Sequence, residues 1–105
     1  MALGIYISPS SMNAQQYDTC IQKLEASGAG QPAGRLYHAC FGTGDKLAVF
    51  DVWDSQESFD RFGETLLPIL KEIGVELGQP HVMPIHNVIM AGGFISSLRS
   101  RNAAG

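Results

Sequence analysis

Charged side chains are scarce in this sequence. Asp, Glu, Lys and Arg make up 16% of its 105 residues, against about 25% in an average globular chain. Basic residues number seven against ten acidic ones, for a formal net charge of −3. No Lys/Arg run occurs, which argues against a nucleic-acid or anionic-membrane partner. The two cysteines, Cys20 and Cys40, are too few and too far apart for a disulfide framework or a CxxC metal site. No apolar run approaches the roughly 18 residues of a membrane span. The N-terminal Met-Ala-Leu-Gly-Ile-Tyr-Ile lacks the basic region and apolar length of a secretory signal. The expectation is a cytoplasmic protein with reduced thiols. What is plentiful is apolar content, 45% spread along the whole chain, which excludes disorder and suits one domain with one core.

Local patterns divide the chain into six elements. Leu3–Ser8 is β-prone and ends in Pro9-Ser10-Ser11. Asn13 is placed to cap a helix, with Gln16 completing a capping box. Tyr17, Cys20/Ile21 and Leu24 recur behind it at helical spacing. The cluster Ser27-Gly28-Ala29-Gly30-Gln31-Pro32 terminates that helix. Arg35–Phe41 and Lys46–Asp54 read as strands of a hairpin joined by Gly42-Thr43-Gly44-Asp45. Asp54, with Glu57 three residues on, predicts the cap of a second helix. Its apolar stripe is Phe59, Phe62, Leu66, Ile69/Leu70 and Ile73. Pro68 inside that stripe predicts a kink or restart near Leu67. His81–Met90 reads as a last strand, assigned by Pro84 to an edge or a bulge. The βαββαβ order predicts a ferredoxin-like α+β domain over residues 1–92, an antiparallel four-stranded sheet with two helices on one face. A partly flexible C-terminal tail follows over 93–105.

Two helices cover only one face of such a sheet, yet both faces read as apolar. On the third strand Leu47, Val49, Asp51 and Trp53 alternate with Ala48, Phe50, Val52 and Asp54. On the second, Leu36, His38 and Cys40 alternate with Tyr37, Ala39 and Phe41. At roughly 25 cal/mol per Å2 a second apolar face left in water forfeits many kcal/mol. The pattern therefore predicts a homodimer through that sheet face, with polar groups and a ligand cavity nearby.

The run Val49-Phe50-Asp51-Val52-Trp53-Asp54-Ser55-Gln56-Glu57-Ser58-Phe59-Asp60-Arg61-Phe62 resembles the apolar-x-V-W-x-[ST]-x-E-x-F segment of the dimeric α+β barrel superfamily. Within it the match is to the antibiotic-biosynthesis-monooxygenase-like group. The resemblance implies a dimeric α+β barrel. It leaves the activity open among cofactor-independent monooxygenases of aromatic polyketide quinols, haem-degrading enzymes, lactone isomerases and polyketide cyclases. Haem-degrading members carry an Asn on the first strand, a Trp on the third and a His on the second helix. Trp53 matches that Trp, but residues 3–8 contain no Asn and residues 55–73 no His, which disfavours haem degradation.

The chemistry-bearing candidates are His38, Asp51 and His86 for proton transfer, and Trp53, Tyr37 and Phe62 for contact with a substrate; Tyr6 is a further tyrosine on the first strand. A hairpin loop of two or four residues gives His38 the same face as Val49, Asp51 and Trp53, whereas a three-residue loop puts Tyr37 there. The first register is adopted. An Asp beside a His in an apolar cavity holds the imidazole tautomer and raises its basicity, which suits proton abstraction from a phenol or enol. Asp51 has a structural alternative, an inter-subunit salt bridge with Arg35. Trp53 offers a flat wall to an aromatic ring, and His86 a second proton-transfer group. His38, His81 and His86 lack zinc-ligand spacing, so no metal is expected. The glycines form no phosphate-binding fingerprint. In a cofactor-free oxygenase the substrate carbanion itself reacts with oxygen, and the protein supplies a base, a dry pocket and orientation; no cofactor is implied. The expected function is a cofactor-independent monooxygenase acting on a small aromatic or polyketide-like molecule. The alternatives are an isomerase or cyclase using the same acid/base residues, and a non-catalytic dimeric ligand-binding module.

Overall fold

A computed structural model describes residues 1–89. The elements are β1 (Leu3–Ile7), α1 (Ala14–Ala26), β2 (Arg35–Phe41), β3 (Ala48–Trp53), α2 (Gln56–Ile73) and β4 (His81–Pro84). The sheet order is β2-β3-β1-β4 with every neighbouring pair antiparallel, the ferredoxin-like α+β arrangement. The last strand is shorter than the expected His81–Met90, ending at Pro84; Met90 and the expected tail 93–105 lie outside the described residues.

One sheet face carries the main core. Ile5, Ile7, Val49 and Trp53 project from it against Cys20 and Leu24 of α1 and Phe62, Leu66 and Leu70 of α2. Trp53 and Ile5 are fully enclosed. The capping box of α1 forms as its residues predict: Asn13 Oδ1 accepts from the Gln16 N–H at 2.8 Å, and Gln16 Oε1 accepts from the Asn13 N–H at 3.0 Å. At the other end Gly28 takes a left-handed φ of 85°. That lets the Ala29 N–H return to the Leu24 carbonyl at 2.8 Å.

The second helix departs from expectation at two points. Its cap is Ser55, whose hydroxyl accepts from the Ser58 N–H at 3.1 Å. Asp54 is held in the preceding loop, where its N–H donates to the Gly34 carbonyl at 2.8 Å. Pro68 does not restart the helix, which runs unbroken to Ile73. Both Pro68 and Glu64, the residue whose carbonyl loses its donor, are exposed, so water can satisfy that carbonyl. The helix ends at Gly74, φ 79°, and the buried Val75 donates to the Leu70 carbonyl at 2.9 Å.

The hairpin register follows from an even-numbered connection, residues 42–47, between Phe41 and its partner Ala48. Lys46 and Leu47 are diverted from β3 because this segment pairs with Met12, opposite Lys46: the Met12 N–H donates to the Asp45 carbonyl at 2.7 Å and the Leu47 N–H to the Met12 carbonyl at 3.1 Å. His38 then pairs with Asp51 and Cys40 with Val49. Strict alternation fails at the start of β2. A bulge separates the pairs Arg35–Trp53 and Tyr37–Val52, so Leu36 joins Val52 and Phe50 on the outer face while Arg35 turns to the helix side. The turn into this bulge requires glycine. Gly34 has φ 92°, and a β-carbon there would lie 2.5 Å from the Ser58 hydroxyl.

The outer face is partly covered by the chain itself. After β4 the Ile85 N–H bonds the Ala2 carbonyl at 2.9 Å. Ile85 and Val88 pack there with Ala2, Val52, Leu36 and Phe50. Tyr6, Phe41 and Met83 remain exposed, with the Tyr6 and Phe41 rings 6.3 Å apart.

Candidate functional site

The pairing of β2 with β3 sets His38 opposite Asp51, and the two-residue repeat along β3 puts Trp53 beside them. Among the described residues Asp51 is the only charged or polar side chain in the buried set, 4% exposed. Burial of a carboxylate is costly without donors, and Asp51 has two. His38 Nδ1–H donates to Oδ1 at 2.5 Å and Trp53 Nε1–H donates to Oδ2 at 3.2 Å. A carboxylate cannot donate, so the neutral imidazole carries its proton on Nδ1 and presents Nε2 as an acceptor.

That acceptor is taken by α1. The Tyr17 hydroxyl lies 2.7 Å from His38 Nε2, with the two ring planes within 2° of parallel. Tyr17 was legible only as one position of the helical stripe; the added signal is a phenol in that stripe facing a strand histidine. Burial, reinforced by the nearby Cys40 and Asp51 and opposed by Arg35, pushes the Tyr17 phenol up to about 12. It is therefore a neutral hydrogen-bond donor at physiological pH. The result is a continuous chain, Tyr17 O–H to His38 to Asp51, with the far carboxylate oxygen fixed by Trp53.

The chain borders a cavity between the sheet and the two helices. Tyr17, His38, Asp51, Arg35 and Phe62 contribute to an otherwise mainly apolar lining. The volume is about 50 Å3. That exceeds the roughly 10–15 Å3 a single water needs but falls far below the roughly 300–1,000 Å3 of a drug-sized site. It has room for no more than a few water molecules as it stands, and a ring-sized ligand requires its walls to part.

The structure brings together three of the six expected site residues at the cavity wall, His38, Asp51 and Phe62. Trp53 belongs to the same cluster from behind. It is fully buried, lies 5.6 Å from Phe59 and 5.3 Å from Phe62 between ring centroids, and is absent from the lining. Its indole fixes the carboxylate and offers no exposed wall. Tyr37 is on the opposite sheet face, paired with Val52 and exposed, because the even-numbered hairpin selects His38 for the inner face. His86 is exposed on the segment that follows β4, whose Ile85 and Val88 pack on the outer face. It does not line the cavity. Tyr6 also faces outward, opposite Phe50.

Arg35, considered from sequence as an inter-subunit salt-bridge partner for Asp51, makes no such bridge within its own chain. Its guanidinium lies 5.7 Å over the Phe62 ring and donates to the Gly30 carbonyl at 3.2 Å. Cys20 is buried and Cys40 partly so. Burial pushes both thiols up, as suits packing residues more than nucleophiles. No cluster of three metal-ligating side chains occurs among the described residues, and none of their helices is long and apolar enough to cross a membrane.

No protein-family model matches the sequence, and no curated protein matches it. Solved structures do. A Chloroflexus aurantiacus protein assigned provisionally to the antibiotic biosynthesis monooxygenases superposes with a TM-score of 0.61 at 16% identity, covering 88% of this chain and 100% of that one. SnoaB, a cofactor-independent oxygenase from Streptomyces nogalater, gives 0.56 at 12% identity, covering 84% and 94%. MupZ from Pseudomonas fluorescens gives 0.59 at 11% identity, covering 98% and 83%. At such identities the likeness is one of architecture: the chain has the antibiotic-biosynthesis-monooxygenase-like α+β fold.

Proposed function

We propose that the protein is a cofactor-independent, monooxygenase-like enzyme that takes a proton from a small phenolic or enolisable molecule. The observation that carries this reading is the Tyr17–His38–Asp51 chain on the wall of a mostly apolar cavity. A ligand hydroxyl or acidic C–H at the Tyr17 oxygen gives up its proton as Tyr17 passes its own to His38 Nε2. The imidazolium that forms is stabilised by Asp51, whose second oxygen Trp53 holds in place. The apolar walls keep the resulting anion from being quenched by bulk water. For a ligand with an activated methylene group the anion then reduces dioxygen. The methylene carbon gives up both hydrogens and becomes a carbonyl carbon. One atom of the dioxygen enters that carbonyl, and the other leaves with the two hydrogens as water. The likeness to SnoaB, described as a cofactor-independent oxygenase, supports the oxygenase form of the reaction. A second copy of the chain, laid on the exposed outer face around Tyr6, Phe41 and Met83, forms the proposed homodimer.

Oxygen uptake measured over a panel of aromatic quinols and anthrones tests the reading. His38→Ala, Asp51→Asn and Tyr17→Phe are each expected to lower the rate by about 100-fold or more. Equal rates in wild type and variants overturn the assigned roles. Turnover of the same compounds without oxygen identifies an isomerase or cyclase instead.

A further inference from the structure

We propose that Arg35 makes this cavity selective for a ligand bearing an ionised oxygen acid, a carboxylate or an acidic phenol or enol, held at the cavity mouth. The proposal rests on the reading of the cavity as a ligand site and is independent of the reaction assigned to it.

Arg35 and His38 are the two residues shared by the inner cavity and a surface depression of about 220 Å3 that Gln31, Leu36 and Tyr37 also line. They therefore stand at the boundary between the two. The other polar groups of the cavity wall are committed to one another. Both oxygens of Asp51 accept hydrogen bonds, both ring nitrogens of His38 are engaged, and the Tyr17 hydroxyl proton points to His38. Arg35 differs. It is half-buried, and the Gly30 carbonyl takes one of its five N–H donors. No carboxylate pairs with it among the described residues.

A partly desolvated guanidinium with free donors gains most from a planar anion that it can hold through two parallel bonds. The Phe62 ring beneath it and the Gly30 carbonyl hold the guanidinium at the mouth. The bulge gives Arg35 the same sheet face as His38. An acid bound there sets its ring or chain against Phe62 and the apolar walls, with Tyr17 and His38 within the same cavity.

Benzoate and benzamide test the assignment, because they share a shape and differ in charge. Their binding to the full chain is read from the fluorescence of Trp53, the single tryptophan, and from NMR shifts of the Arg35 and Tyr17 backbone amides. Wild type is expected to bind benzoate at least about tenfold more tightly than benzamide. Arg35→Gln is expected to abolish that preference, and His38→Ala to retain it. Equal affinity for the two probes overturns the assignment, as does binding of neither, or a preference that survives in Arg35→Gln. If Arg35→Gln does not fold, Arg35→Lys decides: a weakened preference supports the assignment and an unchanged one overturns it. A benzoate preference in a protein that turns over no compound refutes the proposed reaction alone. Turnover with no preference refutes the Arg35 assignment alone.

Discussion

Replacing Asp51 by Asn removes a charge and exchanges one acceptor for a donor at a side chain only 4% exposed. Two N–H groups, His38 Nδ1–H and Trp53 Nε1–H, point at different oxygens of its carboxylate, and in Asn one of those two positions becomes an NH2 that cannot accept. If the Asn oxygen serves His38, the Trp53 N–H is stranded against an NH2 group in the core. If it serves Trp53, His38 must move its proton to Nε2, where it meets the Tyr17 oxygen and reverses the hydrogen-bond chain. Each hydrogen bond to a charged group contributes about 1.5–3 kcal/mol, and a stranded buried donor costs about 1–3 kcal/mol. The variant should therefore lose about 2–4 kcal/mol, a large share of the roughly 5–15 kcal/mol typical of a domain. That corresponds to a fall in Tm of about 10 °C or more. Urea denaturation followed by circular dichroism gives the stability change. Long-range proton–nitrogen NMR correlation of the imidazole gives the tautomer. A loss below about 0.5 kcal/mol with His38 still protonated on Nδ1 refutes the hydrogen-bond assignment.

Alkaline titration of phenolate absorbance should show a step near 12 that Tyr17→Phe removes. The folded value lies above the ordinary 10.0, so this contribution to stability is complete below about pH 10 and is lost as pH rises toward 12; absence of a step near 12 refutes the burial argument. Phe41→Asp, on the exposed outer face, should convert a dimer seen by size-exclusion chromatography with light scattering into a monomer of unchanged circular dichroism. A wild-type protein that is already monomeric refutes the homodimer.

Much of the fold could be read because its signals are local. The Asn13–Gln16 capping box, the glycine-bearing hairpin and the stripe from Phe59 to Ile73 each specify an element within a few residues. That His38 shares a face with Asp51 followed from parity, since any even-numbered connection gives it; their direct pairing depends on the connection being residues 42–47. What escaped reading depends on contacts between distant segments. Gly34 anchors Asp54 through a backbone bond, moving the helix cap to Ser55. The bulge beside Gly34 moves Leu36 outward and Arg35 inward, which no alternation rule anticipates. Tyr17 serves both as a core residue of α1 and as the end of the hydrogen-bond chain, and helical spacing reveals only the first role. The outer face invited a second copy as its only cover, whereas Ile85 and Val88 take part of it.

The two strands at the margins of the sheet have a bearing on self-association. β4 is four residues long and ends in Pro84, which has no N–H to offer an incoming strand. β2 is longer, but its irregularity at Leu36 breaks the ladder that such a strand would have to match. Both margins are poor templates for strand-by-strand addition, the route by which exposed sheets grow into fibres. In the proposed homodimer contact falls instead on the broad face, where a two-fold arrangement would close on itself and leave nothing to propagate.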